Sequence, residues 1–300
     1  MKSINISKAK YRKLVPVEID SSVYNTEARI FRFEDKGIVK VFKELFFDEG
    51  MMFANKLYTL EMIDQARDNI PTDFVLPQEL CSVNGQVKGF TMPYINGINL
   101  NVFLNDNKVD LKEKIFYLKK IGQLLEHMKM IRRNTDLKSF YINDLHEGNF
   151  IIDKKSYDLK VLDVDSIKIA DNKPFNSKYL SPVSMFTNTP DKYDYFNVDC
   201  NNYYTAGFGY VQPSENSDLY CYNMMILNFL YHGKASHMTI DEYYNYISYL
   251  ESIGVSQELV NSFLKLMSEG VDNPNPKDLL DSLNEKTLYL SQEKVYKRKK

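Results

Sequence analysis

Near residue 97 the spacing of apolar residues changes, and that change limits the fold of this chain more than any other feature. Before it, apolar residues come in short runs broken by turn residues. After it, they return at helical intervals. The stretch "ARIFRFEDKGIVKVFKE" is two apolar-rich runs meeting at Asp35-Lys36-Gly37, which predicts a β-hairpin. A helical segment follows, "GMMFANKLYTLEMIDQAR", with apolar positions at Phe53, Leu57, Leu60 and Met62 or Ile63. Two further strands are expected in "DFVLPQELCSV" and "QVKGFTMPYI", turned by Asn84-Gly85. Beyond Gly97, "LKEKIFYLKKIGQLLEHMKMI" keeps Leu111, Ile115, Leu118, Ile121, Leu125 and Met128 on one helical face. "TIDEYYNYISYLESIG" opens on the capping-box pair Thr239 and Glu242 and stops at Gly254. "NPKDLLDSL" reads as a helix with Asn275 as N-cap and Pro276 at its first position.

The expectation is an α+β chain in two lobes. Residues 1–97 form a small lobe of antiparallel strands with one helix, 98–290 a larger, mainly helical lobe, and 291–300 a basic tail. Length and charge fit this division without adding a partner. The 300 residues carry 38 basic and 40 acidic side chains, a balance that gives no sign of nucleic-acid binding. No stretch reads as a signal peptide or approaches the ~20 apolar residues of a membrane span, so a cytoplasmic location is expected. Cys81, Cys200 and Cys221 are odd in number and lack any C-x-x-C, which fits a reducing compartment.

Chemistry concentrates at two places. Lys40 sits mid-strand in "IVKVF", on one face with Ile38 and Phe42. A lysine there is costly unless its ammonium has an anionic partner, or unless the strand is an edge. Glu61, set in the apolar stretch "LYTLEMI" of the following helix, is the candidate partner, with a solvated helix acid as the plainer alternative. The second place is "NDLHEGNFIIDKKSYDLKVLDVDS". It holds Asp144, then Asn149 five residues on, and Asp163 and Asp165 at the end of another short strand. Loops held at strand ends are rigid platforms for functional side chains. Asn149 and Asp163 supply oxygen ligands for a hard cation such as Mg²⁺, which leaves Asp144 to orient a hydroxyl nucleophile. With a buried lysine these are the parts of phosphoryl transfer, in which positioning and charge neutralisation dominate.

In order and spacing these residues resemble the protein-kinase-like superfamily: a strand lysine, a helix glutamate, D-x-x-x-x-N, then a strand ending in Asp. The resemblance implies a bilobal protein-kinase-like fold that binds ATP and Mg²⁺. It gives Lys40 to the phosphates, Glu61 to Lys40, Asp144 to the base, and Asn149 and Asp163 to the metal. Asp165 becomes a second metal ligand or an ordinary loop acid. "GFTMPYINGINL" looks like the hinge, with Met92 as gatekeeper, the Pro93 carbonyl and Ile95 amide toward adenine, and Ile38 alongside among the cofactor-binding residues. "NSDLYCYNMMILNFLYHG" resembles the large-lobe helix that begins with a buried Asp, here Asp218.

The departures bear on activity. "DSSVYNTEARIF", where the phosphate loop belongs, has no glycine, although Ser21, Ser22, Asn25 and Thr26 could support a turn. Ile142 and Asn143 replace the His and Arg that precede the catalytic Asp. His146, counted with Asp144 as catalytic, stands where protein kinases carry a lysine. That form, "DLHEGN", looks more like aminoglycoside- and choline-type small-molecule kinases. DFG is Asp163-Val164-Asp165, and the polar segment from Asp165 to Ser217 reads either as a substrate-facing region or as a long loop without function. The leading expectation is a kinase acting on Ser/Thr hydroxyls of a protein. Its rivals are a small-molecule kinase and a pseudokinase that serves as a binding or scaffold module.

Overall fold

In the computed structural model of the chain, residues 1–17, 27–33, 37–43, 50–174, 213–235, 238–267 and 272–298 are described. The turn residues Asp35 and Lys36, the phosphate-loop positions Ser21, Ser22, Asn25 and Thr26, and most of the segment between Asp165 and Ser217 lie outside them. So do Cys200, His237 and the last two lysines of the basic tail.

The described residues form a mixed α+β chain. Its strands are β1 (Lys2–Ile6), β2 (Ala28–Phe33), β3 (Gly37–Phe42), β4 (Glu79–Val83), β5 (Gln86–Pro93), β6 (Gly97–Asn99), β7 (Phe140–Tyr141), β8 (Phe150–Asp153), β9 (Leu159–Val161) and β10 (Lys168–Ile169). Its helices are α1 (Lys8–Tyr11), α2 (Gly50–Gln65), α3 (Leu100–Asn105), α4 (Leu111–Asn134), α5 (Glu215–Tyr231), α6 (Ile240–Ser252), α7 (Gln257–Lys265) and α8 (Glu285–Arg298). Two compact units divide the chain. One takes Met1–Asn101, Asn134–Phe140 and Gly148–Pro174; the other takes Val102–Arg133, Tyr141–Glu147 and Phe175–Lys300. Asn149, Asp163 and Asp165, which the sequence reading put with the helices, therefore belong to the unit of the strands.

That unit is built on a five-stranded sheet in the order β1-β4-β5-β3-β2. The expected hairpin is present: β2 and β3 pair antiparallel, with Ile30 opposite Lys40. So is the second hairpin, in which Asn84 and Gly85 both take positive φ (51° and 80°), as a two-residue turn of this hand requires. The sheet is not purely antiparallel, contrary to expectation. β1 runs parallel to β4, Ile4 opposite Cys81, and covers an edge that the hairpins leave open. Alternation then sorts the side chains. Val39 and Val41 join Ile6, Phe31, Phe33 and Cys81 in a core on one face. Lys40, Phe42, Phe90 and Met92 occupy the other, and Phe53 of α2 meets Phe42 edge-on at 5.9 Å. A smaller antiparallel sheet, β6-β8-β9, completes the unit.

In the second unit α4 buries the stripe read from the sequence, Leu111 through Met128. Ser214 and Ser217 cap α5 reciprocally, and Thr239 and Glu242 do the same for α6, as expected. The segment after Asn275 differs from expectation: only a 3₁₀ turn forms, Leu279–Ser282. Asn275 accepts from Lys277 N–H at 3.2 Å while its amide donates to Gly122 O at 2.9 Å, which commits it to an anchored turn. The basic stretch near the end is helical in backbone as far as Arg298.

Gly89 fixes how closely β5 approaches β3. A Cβ at that position would lie 1.9 Å from the Lys40 carbonyl oxygen. Gly89→Ala must push the two strands apart beside Lys40, and overpacking of this kind costs about 1–3 kcal/mol. A fall in the urea midpoint is expected; an unchanged midpoint would contradict the β3–β5 register.

Candidate functional site

Lys40 is buried on an interior strand, between β2 and β5, so the edge-strand alternative does not apply. Its ammonium is shared by two carboxylates from the end of β9: Asp163, and Asp165 at 2.6 Å. A one-turn 3₁₀ segment, Val164–Ser166, turns both acids toward it. The path of β9 is itself fixed, because Val161 exchanges backbone hydrogen bonds with Asp73 and Val75 (2.8 and 2.9 Å) and Leu162 N–H donates to Asn149 O at 2.9 Å.

A second lysine joins from α2. Lys56 is 2% exposed; it pairs with Asp165 Oδ2 and Glu27 Oε2, both at 3.0 Å, and donates to Ser166 Oγ at 2.9 Å. The Ser166 hydroxyl donates in turn to Asp163 Oδ2 at 2.6 Å. Lys40, Asp163, Ser166, Lys56 and Asp165 thus close a ring of polar groups. Burial works against each ammonium, but Asp163 and Asp165 outweigh it at Lys40, and Asp165 and Glu27 at Lys56. Both lysines are held above their ordinary range. For Asp163 burial is likewise outweighed, by Lys40 first, and its carboxyl is held well below the usual range. The neighbours of Lys56 on α2 hold the same segment. Asn55 exchanges hydrogen bonds with the Lys173 backbone (2.6 and 2.8 Å), Thr59 Oγ1 accepts from Asn172 at 2.7 Å, and the Tyr58 hydroxyl donates to Asp171.

Glu61 is not part of this ring. It is exposed, and Gln65 one turn later donates to it at 3.5 Å. Lys56, Glu27 and Ser166 went unnoticed in the sequence, although Lys56 had a signal. It lies three residues after Phe53, four before Leu60 and seven before Ile63, on the helix face that goes inside. Asp165, left open between metal ligand and loop acid, is 1% exposed with an oxygen on each lysine. It serves the lysines. Asp163 keeps a quarter of its side chain accessible.

Along β5, Met92 is buried opposite Ile38 and Pro93 stands opposite Gly37, so both lie two to three rungs from Lys40 on a strand bonded to its own. Ile95 follows, half-buried, after Tyr94, whose ring stacks on the Arg32 guanidinium at 3.4 Å from centroid.

In the second unit Asp144 is half-buried, and His146 Nε2 lies 3.6 Å from its Oδ2. The approach to Asp144 is held by Asp218, the first-turn acid of α5. It accepts from Ile142 N–H and Asn143 N–H, each at 2.9 Å. Asn143 takes φ 63°, a left-handed conformation that Asn tolerates better than most residues, and is fully buried. Among the described residues no cluster of three His, Cys, Asp or Glu groups is arranged to hold a metal, and no helix is long and apolar enough to cross a membrane. No protein-family model matches the chain, and no curated protein matches it.

Burial pushes the Asp218 carboxyl up to about 7, against the pull of the two amides. A raised value means the fold prefers the protonated acid. The stability this contributes is complete below the ordinary value of 3.8 and is lost as pH rises through about 7. Relative to Asp218→Asn, the wild type should lose about 1.4 kcal/mol per pH unit between about pH 4.5 and 6.5 in denaturation titrations. Parallel curves for the two proteins would refute the assignment.

Proposed function

We propose that the chain is an ATP- and Mg²⁺-dependent phosphotransferase of bilobal protein-kinase-like fold, moving a phosphoryl group to a Ser/Thr hydroxyl of a protein. One observation carries the reading. A lysine buried on an interior strand meets an aspartate 123 residues further along the chain, at the end of a short strand. Burying such a pair is a poor route to stability, since desolvation offsets most of the attraction. A site for phosphates and a cation gives the charges a use.

The residues fit the implied group in chemistry. Asp163 and Asp165 already converge on one cation, the Lys40 ammonium, and both offer the hard oxygen donors that Mg²⁺ takes. Asp163, the more accessible acid, would hold the metal with Asn149. Lys40 would hold phosphate oxygens, and Ile38, Met92, Pro93 and Ile95 would border the base. Bound Mg²⁺–ATP would supply the transferable phosphoryl group and neutralise its charge. Asp144 would accept the proton of the substrate hydroxyl, with His146 beside it, and Asp218 keeps that loop in shape through two backbone amides.

A second reading, a binding module without turnover, has its own support: both oxygens of Asp163 are hydrogen-bonded, to Lys40 and to Ser166, and Asp165 is paired with both lysines. Thermal melting separates these readings from a chain that binds no nucleotide. ATP with Mg²⁺ at a hundred times Kd stabilises the folded state by about 2.7 kcal/mol, so the midpoint should rise by several degrees. Asp163→Ala should abolish the Mg²⁺-dependent part. No shift at millimolar ATP would overturn both nucleotide-binding readings; a shift without phosphorylation of Ser/Thr peptides would favour the binding module.

A further inference from the structure

We propose that Lys56 is the positioning residue for the cation site, holding Asp163 in place from α2; this rests on the reading of Asp163 as a Mg²⁺ ligand. The helix residue expected to govern Lys40 was an acid. The residue that enters the ring is a base, so the polarity of the helix contribution is reversed.

The connectivity gives Lys56 this part. It reaches Asp163 by two routes, through Ser166 on one side and through Asp165 and Lys40 on the other. Its ammonium lies within 3.0 Å of Asp165, Glu27 and Ser166. Removing it strands Asp165 with one oxygen lacking a counter-charge and releases the Ser166 hydroxyl that orients Asp163. The Lys40 ammonium must then serve two acids alone. Lys56 touches neither the metal nor the phosphates in this scheme; it acts by fixing the group that does. The rest of α2 supports the placement, because Asn55 and Thr59 lock the helix to residues 172 and 173 on either side of the same contact.

The ring also sets what Lys56 need not do. Nucleotide held without metal depends on Lys40 and the border of β5, so losing Lys56 should weaken metal-free binding little. Binding that requires Mg²⁺ should suffer. A purely structural lysine would move stability alone and leave this contrast untouched.

The test is ADP binding by calorimetry to the full chain across a Mg²⁺ titration, for wild type, Lys56→Met, Lys56→Arg and Tyr58→Phe. In Lys56→Met the Mg²⁺ concentration for half-maximal binding should rise at least tenfold, while metal-free ADP affinity changes less than twofold. Lys56→Arg should recover most of the loss. Tyr58→Phe, which alters the same helix at Asp171, should match wild type. Should Lys56→Met fail to fold, Lys56→Gln removes the charge while keeping a polar donor, and a rise in the same direction is expected there. A wild-type Mg²⁺ response in either variant would overturn the role of Lys56 while leaving the nucleotide site standing. Absence of ADP binding in the wild type would overturn the function itself, and the inference with it.

Discussion

The ammonium of Lys40 has to be neutralised inside a sheet, and much of the first unit is arranged to meet that demand. A charge on an interior strand cannot turn to water, so counter-charges must be brought to it. They come from β9, which is bonded to residues 73–75 and to the Asn149 carbonyl, so Asp163 and Asp165 arrive on a fixed backbone. Two acids on one base would leave a buried excess of negative charge. Lys56 restores the balance within the ring, and Glu27, more exposed, pairs with its outer side. Lys40, Lys56, Asp163 and Asp165 bring two bases to two acids, so each buried ammonium has a carboxylate beside it.

Packing enforces the same arrangement from the opposite direction. Gly89 allows β5 to touch the backbone of β3 at Lys40, and Phe90 stands directly opposite that lysine in register. Phe42 and Phe53 close the apolar side of the contact between sheet and α2. With hydrocarbon on one side and carboxylates on the other, the lysine has few other places to put its charge. The approach to Asp144 in the second unit is stabilised differently. There a buried carboxyl at the start of α5 satisfies two consecutive backbone amides, so the loop is held by its main chain.

What the sequence disclosed follows from how local each signal is. The parity of Ile38, Lys40 and Phe42, the positive-φ turn at Asn84-Gly85 and the stripe of α4 depend on neighbours in the chain, and all are found as read. Parallel pairing of β1 with β4 depends on partners more than seventy residues apart; "KSINI" buries only Ile6 completely and carries little pattern. Asn275 and Pro276 had correct helix-start chemistry, but the asparagine was claimed by Gly122. Glu61 is the acid of the apolar stretch that follows Lys40, yet it is exposed in the structure. The helix phase already pointed elsewhere, since Lys56 shares its face with Leu60 and Ile63 and Glu61 does not.

That last substitution changes how the helix can influence the site. An acid on α2 would act on Lys40 directly, as one pair that forms or breaks. A base acts on the aspartates, and through Ser166 it acts on Oδ2 of Asp163 as well. Displacing α2 therefore cannot free Lys40 from its acids; it frees the acids from their second cation. A helix of this polarity reaches Asp163 only through its partners, Ser166 on one side and Asp165 with Lys40 on the other.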